Sequence, residues 1–243
     1  MFRGIGTVIN VCAVVAGGFI GMKGGSRLSL RSRTLITDVL GCVTLLGAAD
    51  AAKNLWSLEF SQNVPGGWTL LGTLAALLLG GLLGTAAGIE DKLENFGNRL
   101  KERFGGEENS FIAGFMAASL LFVIGPLAIM GSISDGMGTG ITQLVLKSTL
   151  DFFAAIAFAS TFGLGVIASA IPVGIYQGVW TLVGFFLGNI MNKYQIEAMT
   201  TVGGILLFGI SLRLLGIKQI RIGDLLPSLF LAPIVALVAH QFL

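Results

Sequence analysis

Charged side chains are scarce in this chain of 243 residues: Asp, Glu, Lys and Arg together make up 12% of it, about half of the share in an average soluble domain. That scarcity excludes an ordinary soluble protein. Cysteine and histidine are rarer still, with Cys12, Cys42 and His240 as their only members. Because these side chains do not cluster, we expect no disulfide framework, no soft-metal site, no cofactor and no enzyme activity. A site that holds a hard cation through oxygen ligands is not excluded by these absences.

Other absences narrow the class further. The net charge of +2 gives no field that would attract nucleic acid. The sequence contains no Gly-x-x-x-x-Gly-Lys-Ser/Thr phosphate loop, so ATP-driven pumping by this chain is not expected. The chain has 36 glycines but only 5 prolines and no Gly-X-Y period, which excludes a collagen-like protein. Apolar residues make up 54% of the chain, and together with abundant glycine they are typical of packed membrane helices.

Long apolar stretches separated by charged or polar linkers run through the whole sequence. A bilayer core about 30 Å thick is crossed by about 20 mostly apolar helical residues, and eight stretches meet that length. We therefore predict an all-α polytopic membrane protein with about eight transmembrane helices, for which the lipid bilayer is a partner. Pro172 is expected to separate the fifth helix from the sixth. The predicted spans are 4 to 22, 35 to 57, 67 to 89, 110 to 132, 150 to 170, 172 to 191, 196 to 215 and 224 to 243.

The distribution of basic residues predicts the orientation. The loops that follow the first, third, fifth and seventh spans, with the ends of those spans, hold eleven of the fifteen Lys and Arg residues. Because basic residues near span ends are retained in the cytoplasm, both termini are expected outside it. The first apolar run could instead be a cleaved secretory signal, but its basic flank follows the apolar run, whereas a signal carries basic residues before it.

A pattern of glycines four residues apart, which closes a membrane run, occurs three times. It is Gly-Gly-Phe-Ile-Gly at 17 to 21, Gly-Gly-Leu-Leu-Gly at 80 to 84 and Gly-Phe-Phe-Leu-Gly at 184 to 188. We interpret this as an internal repeat. The chain would then be a single membrane domain, 1 to 243, made of three units. A two-helix unit covers 1 to 66, and a three-helix repeat that contains a linker at 90 to 109 covers 67 to 170. A second three-helix repeat, inverted relative to the first, covers 171 to 243. Chance similarity between glycine-rich membrane helices is the alternative.

Several longer motifs resemble one bacterial membrane family. They are Ile-Gly-Thr-Val-Ile-Asn at 5 to 10, Gly-Pro-Leu-Ala-Ile-Met-Gly-Ser-Ile-Ser-Asp-Gly at 125 to 136, Leu-Lys-Ser-Thr-Leu-Asp at 146 to 151 and Gly-Gly-Ile-Leu-Leu-Phe-Gly-Ile-Ser-Leu at 203 to 212. Together they resemble the family filed as domain of unknown function 554, the YqgA-like and YdfK-like inner-membrane proteins. The resemblance implies a multi-pass protein of the bacterial plasma (inner) membrane and brings no settled activity with it.

The densest polar stretch lies between Gly125 and Asp151. Pro126 has no backbone N–H and opens the fourth helix, and the carbonyls it frees must be satisfied by protein, water or an ion. Broken helices of this kind form the binding sites of transporters. A polar loop outside the membrane is the alternative interpretation. The candidate pathway residues in this stretch are Pro126, Ser132, Ser134, Asp135, Lys147, Ser148 and Asp151.

Lys147 and Asp151 are four residues apart, so on a helix they share a face and can form an ion pair. They are interpreted either as a functional pair inside the membrane or as an ordinary pair at its surface. Asp50, deep in the second span, is a further candidate proton or cation ligand. Thr200 and Thr201 are expected to face the broken fourth helix from the inverted repeat.

Two classes of function remain. A secondary transporter or an ion or small-solute pathway, of unknown substrate, is favoured by the repeats, the break at Pro126 and the intramembrane carboxylates. The alternative is a non-transporting scaffold or sensor. The linker at 90 to 109 carries apolar residues at helical spacing and predicts an amphipathic helix on the membrane surface or against the bundle. The glycines of the first helix predict a homodimer formed through the two-helix unit.

Overall fold

The structure is a computed structural model that describes residues 2–25, 28–64, 67–104, 108–188 and 191–242. Within these ranges it is all-α and contains no strand, as the apolar runs predict. A 3₁₀ turn at Lys53–Trp56 joins the second helix to the third. The helices are α1 (Ile5–Gly25), α2 (Leu30–Ala52), α3 (Leu58–Asn63), α4 (Trp68–Ala87), α5 (Ile89–Phe104), α6 (Glu108–Val123), α7 (Pro126–Met137), α8 (Thr142–Phe162), α9 (Leu164–Ala168), α10 (Ala170–Leu187), α11 (Lys193–Leu214), α12 (Ile222–Leu225) and α13 (Pro227–His240).

Seven helical segments of the described chain are long and apolar enough to cross a membrane, and one bent pair brings the number to eight if it forms one span. The bent pair is α6 with α7, whose axes differ by 61°. The break lies at Gly125, whose φ of +137° suits glycine alone, and Pro126 opens α7. The predicted opening of the fourth helix at Pro126 is therefore confirmed.

The fifth predicted span was wrong in its boundaries. The fifth helix is α8 and occupies residues 142–162 rather than 150–170. It ends at Gly163, whose backbone adopts φ +67°, and not at Pro172. Pro172 lies in the first turn of α10, where proline is tolerated because the N–H groups of a first turn have no helical partner. The consequence is that Lys147 and Asp151 belong to a long apolar helix and not to the loop before it.

The chain folds into two compact units, both discontinuous in sequence. The first comprises residues 1–40 and 93–190, and the second comprises residues 41–92 and 191–243. The proposed repeat units have other boundaries, and the internal repeat stays a prediction.

In the first unit, α1 and α8 pack in parallel through glycines. A Cβ at Gly17 would overlap the carbonyl oxygen of Phe152, and one at Gly21 would overlap that of Ile156. Both residue numbers increase together along the contact, so the two helices run in the same direction. Glycine allows this close approach of two membrane helices because it has no side chain to separate their backbones.

In the second unit, α4 packs antiparallel to the pair α12 and α13. Gly80 contacts Ser228, and Gly84 contacts the backbone of Asp224. The residue numbers of the partners fall as those of α4 rise. α11 packs against α13, and the side-chain amide of Gln195 donates a hydrogen bond to the carbonyl of Pro233.

The amphipathic segment of the linker forms α5. Its apolar residues Leu93, Phe96 and Leu100 pack with Phe111, Phe115 and Met116 of α6. The ring centroids of Phe96 and Phe115 are 6.1 Å apart. Of the two placements expected for this helix, the structure shows the one against the bundle.

Candidate functional site

The candidate site is built on α8, where Lys147 and Asp151 form a buried ion pair. Their spacing of four residues puts both side chains on one face of the helix, and Lys147 Nζ donates to Asp151 Oδ2 at 2.5 Å. Each residue is only 6% exposed. Asp151 lies near the middle of α8, about 14 Å from its start and about 17 Å from its end at 1.5 Å per residue.

Asn10 of α1 completes this cluster. Its side-chain Nδ2 donates to the same oxygen of Asp151 at 2.9 Å, and Asn10 itself is fully buried. The glycines of α1 bring that helix close enough to α8 for this short amide to reach the carboxylate. The sequence analysis assigned no role to Asn10. A single amide inside an apolar run is the signal that could have identified it, because a buried polar side chain needs a partner.

The helix break lies beside the ion pair. Pro126 has no N–H to offer the carbonyl of Phe122, the residue four positions before it. The Phe122 ring lies 6.0 Å from Lys147 Nζ, measured to the ring centroid. The interrupted helix and the buried charges therefore meet in one region of the first unit.

Asp135, also buried, has a different set of partners. Its two carboxylate oxygens accept hydrogen bonds from the backbone N–H groups of Gly4, at 3.0 Å, and Gly6, at 2.8 Å. These N–H groups lie at the start of α1 and have no partner within the helix, so Asp135 caps that helix. The structure gives Asp135 a clear role in holding α1 against α7.

Two of the three serines predicted in this stretch donate hydrogen bonds within their own helices. Ser132 donates to the carbonyl of Ala128 at 2.6 Å, and Ser148 donates to that of Leu144 at 2.6 Å. Their oxygens can still accept a hydrogen bond. The backbone carbonyl of Ser134 accepts the N–H groups of Gly138 and Thr139 where α7 ends.

The remaining predicted residues belong to the second unit. Asp50 pairs with Lys53, and the two side chains are 74% and 69% exposed. The hydroxyls of Thr200 and Thr201 donate to carbonyls one turn earlier in α11. Their expected position facing the broken helix stays a prediction.

The family follows from the sequence comparison. The family model described as "Protein of unknown function (DUF554)" matches residues 5–237. The chain belongs to this family. The resemblance found in the sequence motifs is thereby confirmed.

Two curated relatives match almost the whole DUF554 chain. The uncharacterized membrane protein YdfK of Bacillus subtilis is 31% identical over 239 residues, which cover 98% of this chain and 97% of YdfK. The uncharacterized protein YqgA of Escherichia coli is 30% identical over 230 residues, which cover 94% of each chain. No solved structure matches the chain.

The DUF554 chain carries a second charged cluster, in its second unit, that the sequence analysis missed. The buried Glu90 carboxylate accepts from Arg213 Nη1 at 2.9 Å and from the backbone N–H of Gly223. The Glu90 N–H in turn donates to Asp224 Oδ1 at 2.9 Å. Each carboxylate thus binds the first turn of the other's helix, which is a reciprocal cap.

Arg221 joins this cluster from its edge. Hydrogen bonds from its guanidinium to the carboxylates of Asp224 and Asp91 raise the pKa of Arg221 further above its ordinary value. Each of these charges has a partner and two helix starts are capped, which explains the cluster by its role in holding α5, α11 and α12 together. The cluster around Asp151 differs in that it caps no helix and lies near the middle of α8.

Proposed function

We propose that the chain is a secondary transporter, or a pathway for an ion or small solute, in the bacterial plasma membrane. The observation that carries this proposal is the buried Lys147–Asp151 pair in the middle of α8, bound by Asn10 and adjacent to the break at Pro126. Charged side chains inside a membrane bundle are expensive and typically mark a substrate, ion or proton path.

Stability alone does not explain the pair. On insertion scales Lys and Asp cost about 2.5 to 3.5 kcal/mol each at the centre of a membrane helix. Apolar residues of similar size in place of a buried ion pair are often neutral or stabilising. A pair retained at this cost is therefore best explained by a function that needs a charge or a transferable proton at this position.

The directions of the helices support eight crossings. α1 and α8 run parallel, and three helical segments lie between them: α2 with α3, α4, and the bent pair α6 with α7. Three intervening crossings make the flanking helices parallel, whereas two would make them antiparallel. The parallel direction of α1 and α8 thus favours one broken crossing for the bent pair over a re-entrant loop.

The second unit supports the same count independently. α4 and α13 run antiparallel, as four intervening crossings require. Eight crossings place both termini on one side, and the distribution of Lys and Arg favours the side outside the cytoplasm.

The proposed homodimer loses one of its arguments. Gly17 and Gly21 are covered by α8, Gly80 and Gly84 by α12 and α13, and Gly184 by Ile133 of α7. These glycine surfaces are used within the chain. A homodimer stays a prediction and would need another face of the protein.

The test is solute flux into proteoliposomes that contain the purified chain. Radiolabelled or dye-reported cations, protons, amino acids and organic anions form the screen. We expect one class to move in wild type, and Asp151→Asn to abolish that movement while Asp38→Asn, at an exposed position of α2, preserves it. If no solute of the panel moves, or if flux survives Asp151→Asn unchanged, the chain is better explained as a non-transporting scaffold or sensor.

A further inference from the structure

An open apolar groove lies in the first unit, between α1 on one side and α9 with α10 on the other. Its volume is about 580 Å³. Val11, Val15 and Phe19 line it from α1 at steps of four residues, and the stretch 164–175 lines it from the other side. Every residue that the structure places along the groove is apolar, so the groove suits a hydrocarbon chain.

A second cavity, with a polar lining, adjoins the groove at the C-terminal end of α1. Its volume is about 270 Å³, and it is lined by Arg33 of α2, the last turn of α1 and residues 159–164. Leu164 lines both the cavity and the groove. From Met22 in the cavity to Val11 at the far end of the groove, α1 rises about 16 Å at 1.5 Å per residue. This length is close to the depth of one leaflet, about 15 Å.

Arg33 is the charged residue of the polar cavity. Its Nη2 donates to the carbonyl of Gly25 at 3.0 Å, and the Thr161 hydroxyl donates to the backbone carbonyl of Arg33 at 3.3 Å. Arg33 Nε is buried and has no hydrogen-bond partner in the described chain. No acidic side chain is among the described residues that line the cavity. Because a partly buried guanidinium needs acceptors and a counter-charge, the cavity favours an anionic occupant.

The two cavities together restrict the kind of anion. A soluble anion would satisfy Arg33 but leave the apolar groove empty, whereas a second copy of the chain or an uncharged lipid would fill the groove but leave Arg33 without a counter-charge. The exposed Lys23 follows Phe19 on the same face of α1, one turn later. The distribution of Lys and Arg favours the cytoplasm for this end of α1, and basic pockets between membrane helices on that side bind anionic lipid head groups.

We propose that the polar cavity and the groove bind one anionic phospholipid. The guanidinium of Arg33 binds its phosphate, and one acyl chain lies along Val11, Val15 and Phe19 against α9 and α10. The proposal goes beyond transport and does not depend on it. Phosphatidylglycerol is a lipid of this class because its phosphate charge is uncompensated. Phosphatidylcholine is the matched control lipid, since its choline compensates the charge of the same phosphate.

The test counts lipids retained by the full chain. The protein is purified in a neutral detergent and titrated with phosphatidylglycerol or phosphatidylcholine of identical acyl chains, and native mass spectrometry counts the bound lipids. We expect wild type to retain one phosphatidylglycerol at concentrations at which phosphatidylcholine is lost. The same lipid should raise the unfolding temperature of wild type, because a ligand that binds the folded state stabilises it.

Two variants with matched controls test the two parts of the site. Arg33→Gln should weaken phosphatidylglycerol binding by about tenfold or more, the loss of a charge-assisted hydrogen bond, while Arg31→Gln, at an exposed position of the same helix, should bind as wild type does. Val15→Phe puts a ring into the groove and should weaken binding several-fold. Ile20→Phe, at an exposed position of α1 outside the groove, should not. Circular dichroism checks that each variant keeps its helical content.

Several results would overturn the proposal. Equal retention of the two lipids would show that the head-group charge is not recognised. Equal binding by Arg33→Gln and Arg31→Gln, or by Val15→Phe and Ile20→Phe, would show that the cavity or the groove takes no part. Competition by glycerol phosphate as strong as that by the lipid would identify a soluble anion as the occupant. A dimer that Val15→Phe dissociates, without bound phosphatidylglycerol in wild type, would identify a second copy of the chain.

Discussion

The stability of the buried ion pair gives a quantitative prediction. Asp151→Asn leaves the Lys147 ammonium buried without its counter-charge, and breaking a buried pair in this way typically costs about 3 to 5 kcal/mol. In the double variant Lys147→Met/Asp151→Asn no charge remains, and the new amide oxygen can still accept the hydrogen bond from Asn10. We expect the free energy of unfolding of the double variant to return to within about 1 to 2 kcal/mol of the wild-type value. The effects of the two substitutions would then be strongly non-additive.

The assay is reversible unfolding in mixed micelles with increasing denaturing detergent, followed by tryptophan fluorescence. The matched control is the exposed pair of Lys53 and Asp50. The same exchanges there, Lys53→Met and Asp50→Asn, should change the free energy of unfolding by less than about 1 kcal/mol. If Asp151→Asn destabilises the chain no more than Asp50→Asn does, the Lys147–Asp151 pair is not buried as described and the reasoning fails.

Three further predictions concern packing, backbone and topology. Gly21→Ala should lower the free energy of unfolding by about 1 to 3 kcal/mol because the new Cβ overlaps the backbone of α8. Gly24→Ala is the control in the same helix: its Cβ meets open space, so it should be neutral or slightly stabilising. Thermal unfolding compares the two variants. Gly125→Ala should cost on the order of 1 to 3 kcal/mol because φ +137° strains any other residue, measured in the same way. Cysteines placed at Gln62 and Gln219, in a chain whose native cysteines are replaced by serine, should be labelled by an impermeant maleimide from outside and from the cytoplasm, respectively; a cytoplasmic signal from Gln62 would contradict the topology.

Local signals predicted the features that depend on local chemistry. The Gly125–Pro126 break is readable from sequence because proline removes a donor and glycine permits the backbone angle of the break. The apolar face of α5 is readable because its side chains recur at helical spacing. The all-α membrane class follows from runs of apolar residues that no soluble fold of this size needs.

Features set by partners distant in sequence were not readable. The fifth span was predicted to begin too late because Thr142, Gln143 and Lys147 make residues 142 to 149 too polar for an isolated membrane segment. The pairing of Lys147 with Asp151, which Asn10 of α1 also binds, reduces the cost of placing Lys147 in the membrane, and Asn10 is 141 residues away from Asp151. Asp50, by contrast, was selected for its depth in an apolar run, and it lies at an exposed position beside Lys53.

The most direct test of the central claim is solute flux through Asp151 in sealed vesicles. Proteoliposomes that contain wild-type protein are compared with proteoliposomes that contain Asp151→Asn and with protein-free vesicles, over the panel of cations, protons, amino acids and organic anions. We expect one class of solute to enter with wild type, and Asp151→Asn to reduce its entry to the level of protein-free vesicles. Equal entry with Asp151→Asn, or no entry of any solute with wild type, would contradict the proposed transport function.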